Sequence, residues 1–379
     1  MSGRQGKQIF LTAAFTAVIC SAGLTQLIVE LIGGQTPQVA EIFMQKPTKA
    51  NFRAFERDLQ DNCWLTKRLR PRMQYAQFIL FRELGDKAVV GRSGWLFYKP
   101  DVQYLIEHIP ETDGSQGDIF SAVVSFRDQL AKRGIKLLLV PVPDKASVYP
   151  DMLASRASLI EHPVNSKTLE IITRFQQAGV EVVDLFAVFE RARTGLSSAD
   201  GATYYLLQDS HWSPEGMRLA AKTVGQRILD LGWVQKGQVE YTLKPVTIKR
   251  YGDILRMIQV PLIEKQFEQE QIDCTQVINP IINRPYQTDP NSEVLVLGDS
   301  FLRIYSRDEP GDGGFVEHLA HELGFAISSI VNDGGASTLV RQQLSRNPGL
   351  LTNKKVVVWE FVERDIRFGT EGWQYVPLP

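Results

Sequence analysis

Cysteine and histidine are scarce in this 379-residue sequence, with three and five copies, and neither sign of charge prevails: 42 basic residues face 43 acidic ones, for a formal charge of -1. That balance removes the electrostatic drive toward nucleic acid or polyphosphate. No internal repeat, low-complexity tract or phosphate-cradling glycine loop is present, so coenzyme A is not expected as a direct ligand. Three cysteines allow one disulfide at most. Cys20 falls in an N-terminal apolar run, leaving Cys63 and Cys274 either bridged in an oxidising compartment or buried as free thiols. What is abundant is apolar surface, at 44% of residues, enough for one large domain, alone or with an appendage.

The apolar run is Gln8 to Val29, uncharged over 22 residues, preceded by Arg4 and Lys7 and followed by Glu30. Its length approaches the ~20 residues of a membrane-spanning helix. Cations on its amino side favour an inside amino terminus, with the rest of the chain across the membrane. A cleaved signal peptide competes, because Ser21-Ala22-Gly23 offers small residues, but the apolar run continues past them.

Behind a linker at Gln35 to Pro47, the stretch Ala50 to Leu84 reads as a helical packing arm broken at Pro71. Its apolar side includes Phe52, Phe55, Cys63, Leu69, Met73 and Phe78. Gly91-Arg92-Ser93-Gly94 then turns into a strand at Trp95 to Tyr98. From Gly117 helical and strand patterns alternate, the signature of a parallel sheet covered by helices. Strands are expected at Lys136 to Val140, Val180 to Asp184, Val294 to Leu297, Phe325 to Val331 and Lys355 to Phe361. Ser213-Pro214 announces a capped helix. Val234 to Asn291 carries no clear period and reads as an insertion of loops and irregular strands. The expected division is 1-33 anchor or signal, 34-90 linker and arm, and 91-379 catalytic domain.

Two loops can carry chemistry. Val294 to Leu297 ends in Gly298-Asp299-Ser300, which puts a serine at the carboxyl end of a strand, where open α/β sheets bind ligands. A serine near neutral pH needs a base that is itself oriented by a third group. Of the five histidines, His211 stands in the polar loop Gln208-Asp209-Ser210-His211-Trp212, with Asp209 two residues before it and able to fix its tautomer. Either motif alone also reads as ordinary turn chemistry. Each supplies what the other lacks.

These blocks resemble those of the SGNH hydrolases, with the Asp/His block ahead of the serine. That order is similar to the periplasmic alginate O-acetyltransferases and their exopolysaccharide-acetylating relatives. The likeness extends to Gly94 to Tyr98, Pro143 to Pro150, Asn332-Asp333-Gly334-Gly335 and Trp359 to Arg364, about residues 91 to 368 in all. It implies an SGNH-hydrolase-like (flavodoxin-like) α/β three-layer sandwich, with a central five-stranded parallel sheet, circularly permuted motif order and an N-terminal membrane helix. It also implies Ser300 as nucleophile, His211 as base and Asp209 as its orienter. The oxyanion would be met by the Ser300 amide with Gly334 or Gly335. The usual block-three asparagine has no match, so Asn332, Arg364 or Arg303 is left to supply a third donor.

The implied reaction moves an acetyl group to a hydroxyl of an exported polysaccharide through acetyl-Ser300, with no cofactor and no metal. The donor would be relayed by a membrane-bound acyltransferase, and the catalytic domain would sit in the periplasm, on a single-pass inner-membrane helix or free if that helix is cleaved. An SGNH carbohydrate acetylesterase and a non-catalytic polysaccharide-binding scaffold are the alternatives. Trp95, Tyr98, Trp212 and Arg303 are candidates for binding sugar, although aromatics on strands, Trp359 among them, more often form core. Asp299 is expected to cap its own turn. His318 and His321, with Glu317 and Glu322, read as a solvated helix face, and His108 and His162 have no evident partners.

Overall fold

The computed structural model describes residues 2-37, 43-44, 46-107, 118-160, 163-195 and 203-379, which leaves His108, His162 and part of the expected linker outside the described residues. The chain divides into two compact units, Met1–Leu84 with Gln259–Gln266, and Gly85–Ile258 with Phe267–Pro379.

In the first unit, helix α1 (Ser2–Ile32) contains Gln8–Ile32, 25 residues long and apolar enough to cross a membrane. Its polar end is tied down: Gln26 Nε2 donates to Glu30 Oε1 (2.6 Å), and the Trp64 amide donates to Gln26 Oε1 (2.8 Å). The arm forms α2 (Lys49–Asn62) and α3 (Trp64–Phe81), so the break falls at Cys63, where the backbone turns extended, and the helix runs through Pro71. A proline inside a helix forfeits one backbone bond, and here that loss is tolerated. Leu69 and Met73, expected to pack, are exposed, whereas Phe78 is buried.

The second unit is built on a parallel sheet of β3 (Lys136–Val142), β4 (Glu181–Val182), β8 (Val294–Gly298), β9 (Ser328–Val331) and β10 (Val356–Val362), in the order β4-β3-β10-β8-β9. Strand alternation sends Leu138, Val140, Val296 and Val358 into one core and Leu139, Leu297, Val357 and Trp359 into the other. The first core is covered by helices α6 (Leu185–Thr194), α7 (Pro214–Asp230) and α8 (Phe315–Leu323). The second is covered by α4 (Ile119–Ala131), α5 (Ser166–Gln177) and α9 (Leu339–Arg346). The result is the expected three-layer sandwich. Counted from β8 as first strand, the order reads 2-1-3-4-5 across the sheet, that of a flavodoxin-like fold entered at a different point. The permuted motif order is thus visible in the topology. The switch point falls between β8 and β10.

The strand expected at Trp95 to Tyr98 is β2 (Leu96–Tyr98), paired antiparallel with β1 (Ala88–Val90) outside the main sheet. The segment read as irregular is more ordered than expected. It carries a regular antiparallel ribbon of β5 (Thr242–Arg250), β6 (Glu270–Asn279) and β7 (Arg284–Pro285), with Val246 opposite Cys274. Local period fails here because β5 is largely exposed on both faces. Cys274 and Cys63 are buried free thiols. His318 and Glu317 are buried too, which corrects the solvated-face reading: Glu317 accepts from Ser306 Oγ and the Gly314 amide, and His318 Nε2 lies 3.2 Å from Thr275 Oγ1.

Candidate active site

Ser300 opens a short helix (Ser300–Arg303) directly after β8. The Asp299 carboxylate accepts from the Phe301 amide at 2.9 Å and so serves its own turn. Gly298 is required by a close approach, since a Cβ there would stand 2.2 Å from Glu360 Oε2. That same oxygen accepts from the Asp299 amide at 3.0 Å, and burial pushes the Glu360 carboxyl well above its ordinary range. A buried acid of β10 therefore holds the end of β8.

On the facing loop, His211 Nε2 lies 2.8 Å from Ser300 Oγ, and His211 Nδ1 lies 2.7 Å from Asp209 Oδ1. The carboxylate contact requires a proton on Nδ1, and in the neutral ring Nε2 is then free to accept from the Ser300 hydroxyl. Burial opposes ionisation of Asp209, but the bond and charge of His211, the charge of Arg250 and the bond from Asp253 outweigh it and hold the carboxyl well below its usual range. Burial also opposes charge on His211, yet its bonds to Asp209 and Asp253, and then their charges, lift the imidazole to about 10.

The ribbon supplies residues that sequence reading missed. Arg250 Nη2 donates to Asp209 Oδ2 (3.0 Å), as does the Asp253 amide (3.0 Å). Asp253 Oδ1 accepts from the Ser210 amide (2.7 Å), and its Oδ2 accepts from Ser210 Oγ (2.6 Å) and lies 3.4 Å from His211 Nδ1. Asp209, His211 and Asp253 are close enough to suggest a cation site. Each carboxylate oxygen, however, is already met by an N–H or O–H, and Arg250 supplies positive charge. The one available signal was the Gly252-Asp253 pair, the same dipeptide as Gly298-Asp299.

Two further clamps hold the histidine loop. Buried Lys145 donates from Nζ to the carbonyls of Leu96 (2.5 Å), Leu207 (2.8 Å) and Asp209 (3.1 Å), while Glu270 accepts from the amides of Leu207 and Gln208. Burial lowers the Lys145 pKa to about 8.

Ser300 and His211 open into a cleft of about 350 Å³, whose lining includes Tyr98, Gln103, Asp253, Gly334, Arg364 and Phe368. A second cavity, of about 300 Å³ between Ser147, Asn165, Phe186 and Arg193, shares no lining residue with it. Gly334 has φ +63, a conformation that favours glycine. The Gly335 amide is bound to the Asn332 carbonyl at 2.9 Å, and neither residue lines the cleft. Arg303 is also absent from the lining and pairs with Asp308 and Asp333. Arg364 faces the cleft while Nη1 is held by Asp101 (3.0 Å) and Asp144 (3.4 Å).

Tyr98 lines the cleft. Trp95 and Trp212 do not, and their assignment to substrate is corrected. Both are buried, Trp95 under the Lys145 ammonium and Trp212 stacked on Phe315. Trp212 turns inward because its neighbour His211 turns outward to Ser300. Trp359 is core.

Residues 88–363 match the family model of the SGNH hydrolase-like acetyltransferase domain of AlgX. The chain belongs to this family. It is 31% identical over 301 residues to the probable alginate O-acetylase AlgJ of Pseudomonas putida, covering 76% of this chain and 72% of that one. Against the probable alginate O-acetylase AlgJ of Pseudomonas aeruginosa it is 30% identical over 152 residues, 40% of this chain and 34% of that one. The solved O-acetyltransferase domain of Pseudomonas putida AlgJ shares the fold, with TM-score 0.58 and 20% identity over 74% of this chain and 92% of the other.

Proposed function

We propose that this protein is a serine-dependent O-acetyltransferase, anchored by α1, that moves acetyl groups to hydroxyls of an exported polysaccharide, with alginate, named for its relatives, as first candidate. The observation that carries the reading is the chain of contacts from Asp209 Oδ1 to His211 to Ser300 Oγ, at 2.7 and 2.8 Å, opening into the cleft. In this reading residues 1-33 anchor the chain, 34-90 form an arm, and the remainder is catalytic.

In the first step His211 Nε2 takes the Ser300 proton, Ser300 Oγ bonds to the acetyl carbonyl carbon, and the donor's leaving group departs with the proton returned by His211. The acceptor hydroxyl then gives its proton to the same nitrogen and attacks acetyl-Ser300. Collapse of the adduct expels Ser300 Oγ, which recovers the proton. The carbonyl oxygen, negative in both tetrahedral adducts, would be met by the amides of Ser300 and Gly334, with Arg364 as third donor in place of an asparagine. General base assistance contributes roughly 10²- to 10⁴-fold, and each oxyanion donor about 10²- to 10³-fold. Delivery of the acetyl group by a membrane-bound acyltransferase suits the anchored arrangement.

The test is intact mass of the protein after exposure to an activated acetyl ester, followed by addition of polysaccharide. One acetyl adduct should form on wild type, disappear with the acceptor as the polymer gains acetyl, and be missing from Ser300→Ala. An equal adduct on Ser300→Ala rejects the nucleophile. Loss of the adduct to water at a rate that polymer does not change assigns the protein as an esterase.

A further inference from the structure

Helix α3 combines cations with an uncovered apolar stripe. Its segment Trp64–Phe81 holds Lys67, Arg68, Arg70 and Arg72 and no acidic residue. Leu69, Met73, Ala76 and Leu80 follow one another at intervals of four, three and four, so they form one line along a helix. The three large ones are 41, 62 and 72% exposed. Phe78, the buried residue of α3, lies five positions after Met73 and two before Leu80. At about 100° per residue it points away from the line. The exposed stripe is therefore not the face by which α3 packs.

On the two sides of the stripe stand Arg70 and Arg72, and no ion pair holds either among the described residues. An apolar line bordered by long cationic side chains matches the boundary between acyl chains and anionic headgroups. The apolar groups enter the boundary while the guanidinium groups reach out to phosphate.

The level at which α3 begins is set independently. The Trp64 amide is bonded to Gln26 of α1, and Gln26 lies 18 helical residues beyond Gln8, or about 27 Å. A hydrocarbon core is about 30 Å thick, so a span that begins at Gln8 brings the bond to within a few ångströms of the far boundary. Trp64, 38% exposed, then stands where tryptophan concentrates in membrane proteins. Entry of α3 into the hydrocarbon would bury four cations, which is prohibitive, so where α3 meets the bilayer it does so along the surface.

We infer that α3 is an interfacial helix that docks on the anionic phospholipid surface next to the anchor, inserting the Leu69, Met73 and Leu80 line. This rests on the reading of α1 as a membrane span.

The test uses the full chain in nanodiscs of phosphatidylcholine, or of phosphatidylcholine and phosphatidylglycerol in equal parts, each with brominated acyl chains. With Cys20→Ser removing the exposed native thiol, an environment-sensitive fluorophore is placed at Met73→Cys or, as reference, at Phe15→Cys in α1. The expected result is strong quenching at position 15 in both lipids. At position 73 the expectation is a blue shift with quenching several-fold stronger with phosphatidylglycerol, which Arg70→Gln with Arg72→Gln abolishes. A label at 73 that is unquenched while 15 is quenched overturns the inference and leaves the anchor standing. A blue shift at 73 without bromine quenching also overturns it, in favour of a protein partner or a second copy. Equal quenching at 73 in both lipids overturns the anionic preference. Quenching at 73 with none at 15 rejects the span and, with it, docking beside an anchor.

Discussion

Arg250 Nη2 donates to Asp209 Oδ2 across 3.0 Å, joining residues 41 positions apart, one at the end of an antiparallel ribbon and one in the loop that carries the histidine. Both side chains are nearly inaccessible to water, at 10 and 1%. Burial opposes charge on Asp209, and the Arg250 cation adds to the bond and charge of His211 in holding its carboxyl below the usual range.

Arg250→Met removes that cation from a buried pair, a change that costs about 3–5 kcal/mol when one partner is left alone. The melting temperature should fall accordingly. Acylation by an activated acetyl ester should slow by at least about tenfold, as the carboxylate no longer holds the base in place. An unaltered melting curve together with an unaltered rate would refute the clamp.

The pH profile follows from His211, whose pKa stands at about 10 because its bonds to Asp209 and Asp253 outweigh burial. Only the neutral ring can take the Ser300 proton, so the acylation rate should climb with pH on the alkaline side. Asp209→Asn should shift that climb toward lower pH and reduce the plateau by up to about 10⁴-fold. Stability has the opposite sign. A folded pKa raised above 6.5 contributes in full below that value and is lost as pH rises through about 10, so wild type should lose melting temperature in that window and Asp209→Asn should lose less. Stopped-flow acylation and thermal scans across the range check both.

Gly252→Ala would place a Cβ 2.1 Å from the Gln208 carbonyl oxygen, a backbone atom with no room to yield. The ribbon and the histidine loop must then separate, which carries Asp253 away from Ser210. A loss of about 1–3 kcal/mol is expected from overpacking. KM for a small ester should remain near wild type while kcat falls, and a normal kcat would show that the two segments tolerate separation.

Lys145→Met deletes the donor shared by the carbonyls of Leu96, Leu207 and Asp209. Buried acceptors left without donors cost about 1–3 kcal/mol each, so destabilisation of about 3 kcal/mol or more is expected in denaturant titration. Lys145→Arg should not rescue it, because the larger planar head does not fit a fully buried point-charge site.

Much of this was legible locally. The apolar runs of β3, β8 and β10, the Gly298-Asp299-Ser300 turn and the Ser213-Pro214 cap each depend on a few adjacent residues, whose steric and hydrogen-bonding preferences act within one turn of chain. The same is true of the 25-residue apolar helix, whose length alone makes it a candidate span. From these, and from the order in which the Asp/His and serine blocks occur, the sequence by itself determined the fold class and singled out Asp209, His211 and Ser300, of which His211 and Ser300 line the cleft.

What only the tertiary structure decided is non-local. Whether His211 or Trp212 faces Ser300 depends on which side of one loop meets β8. Arg250 and Asp253 reach Asp209 only because β5 pairs with β6 and returns to the site, a register that no local period encodes in a strand exposed on both faces. In α3 the sequence carries apolar residues on more than one side, and packing chose Phe78 over the Leu69 and Met73 line. Periodicity marks a face as apolar. Only contact with the rest of the chain selects which apolar face is covered.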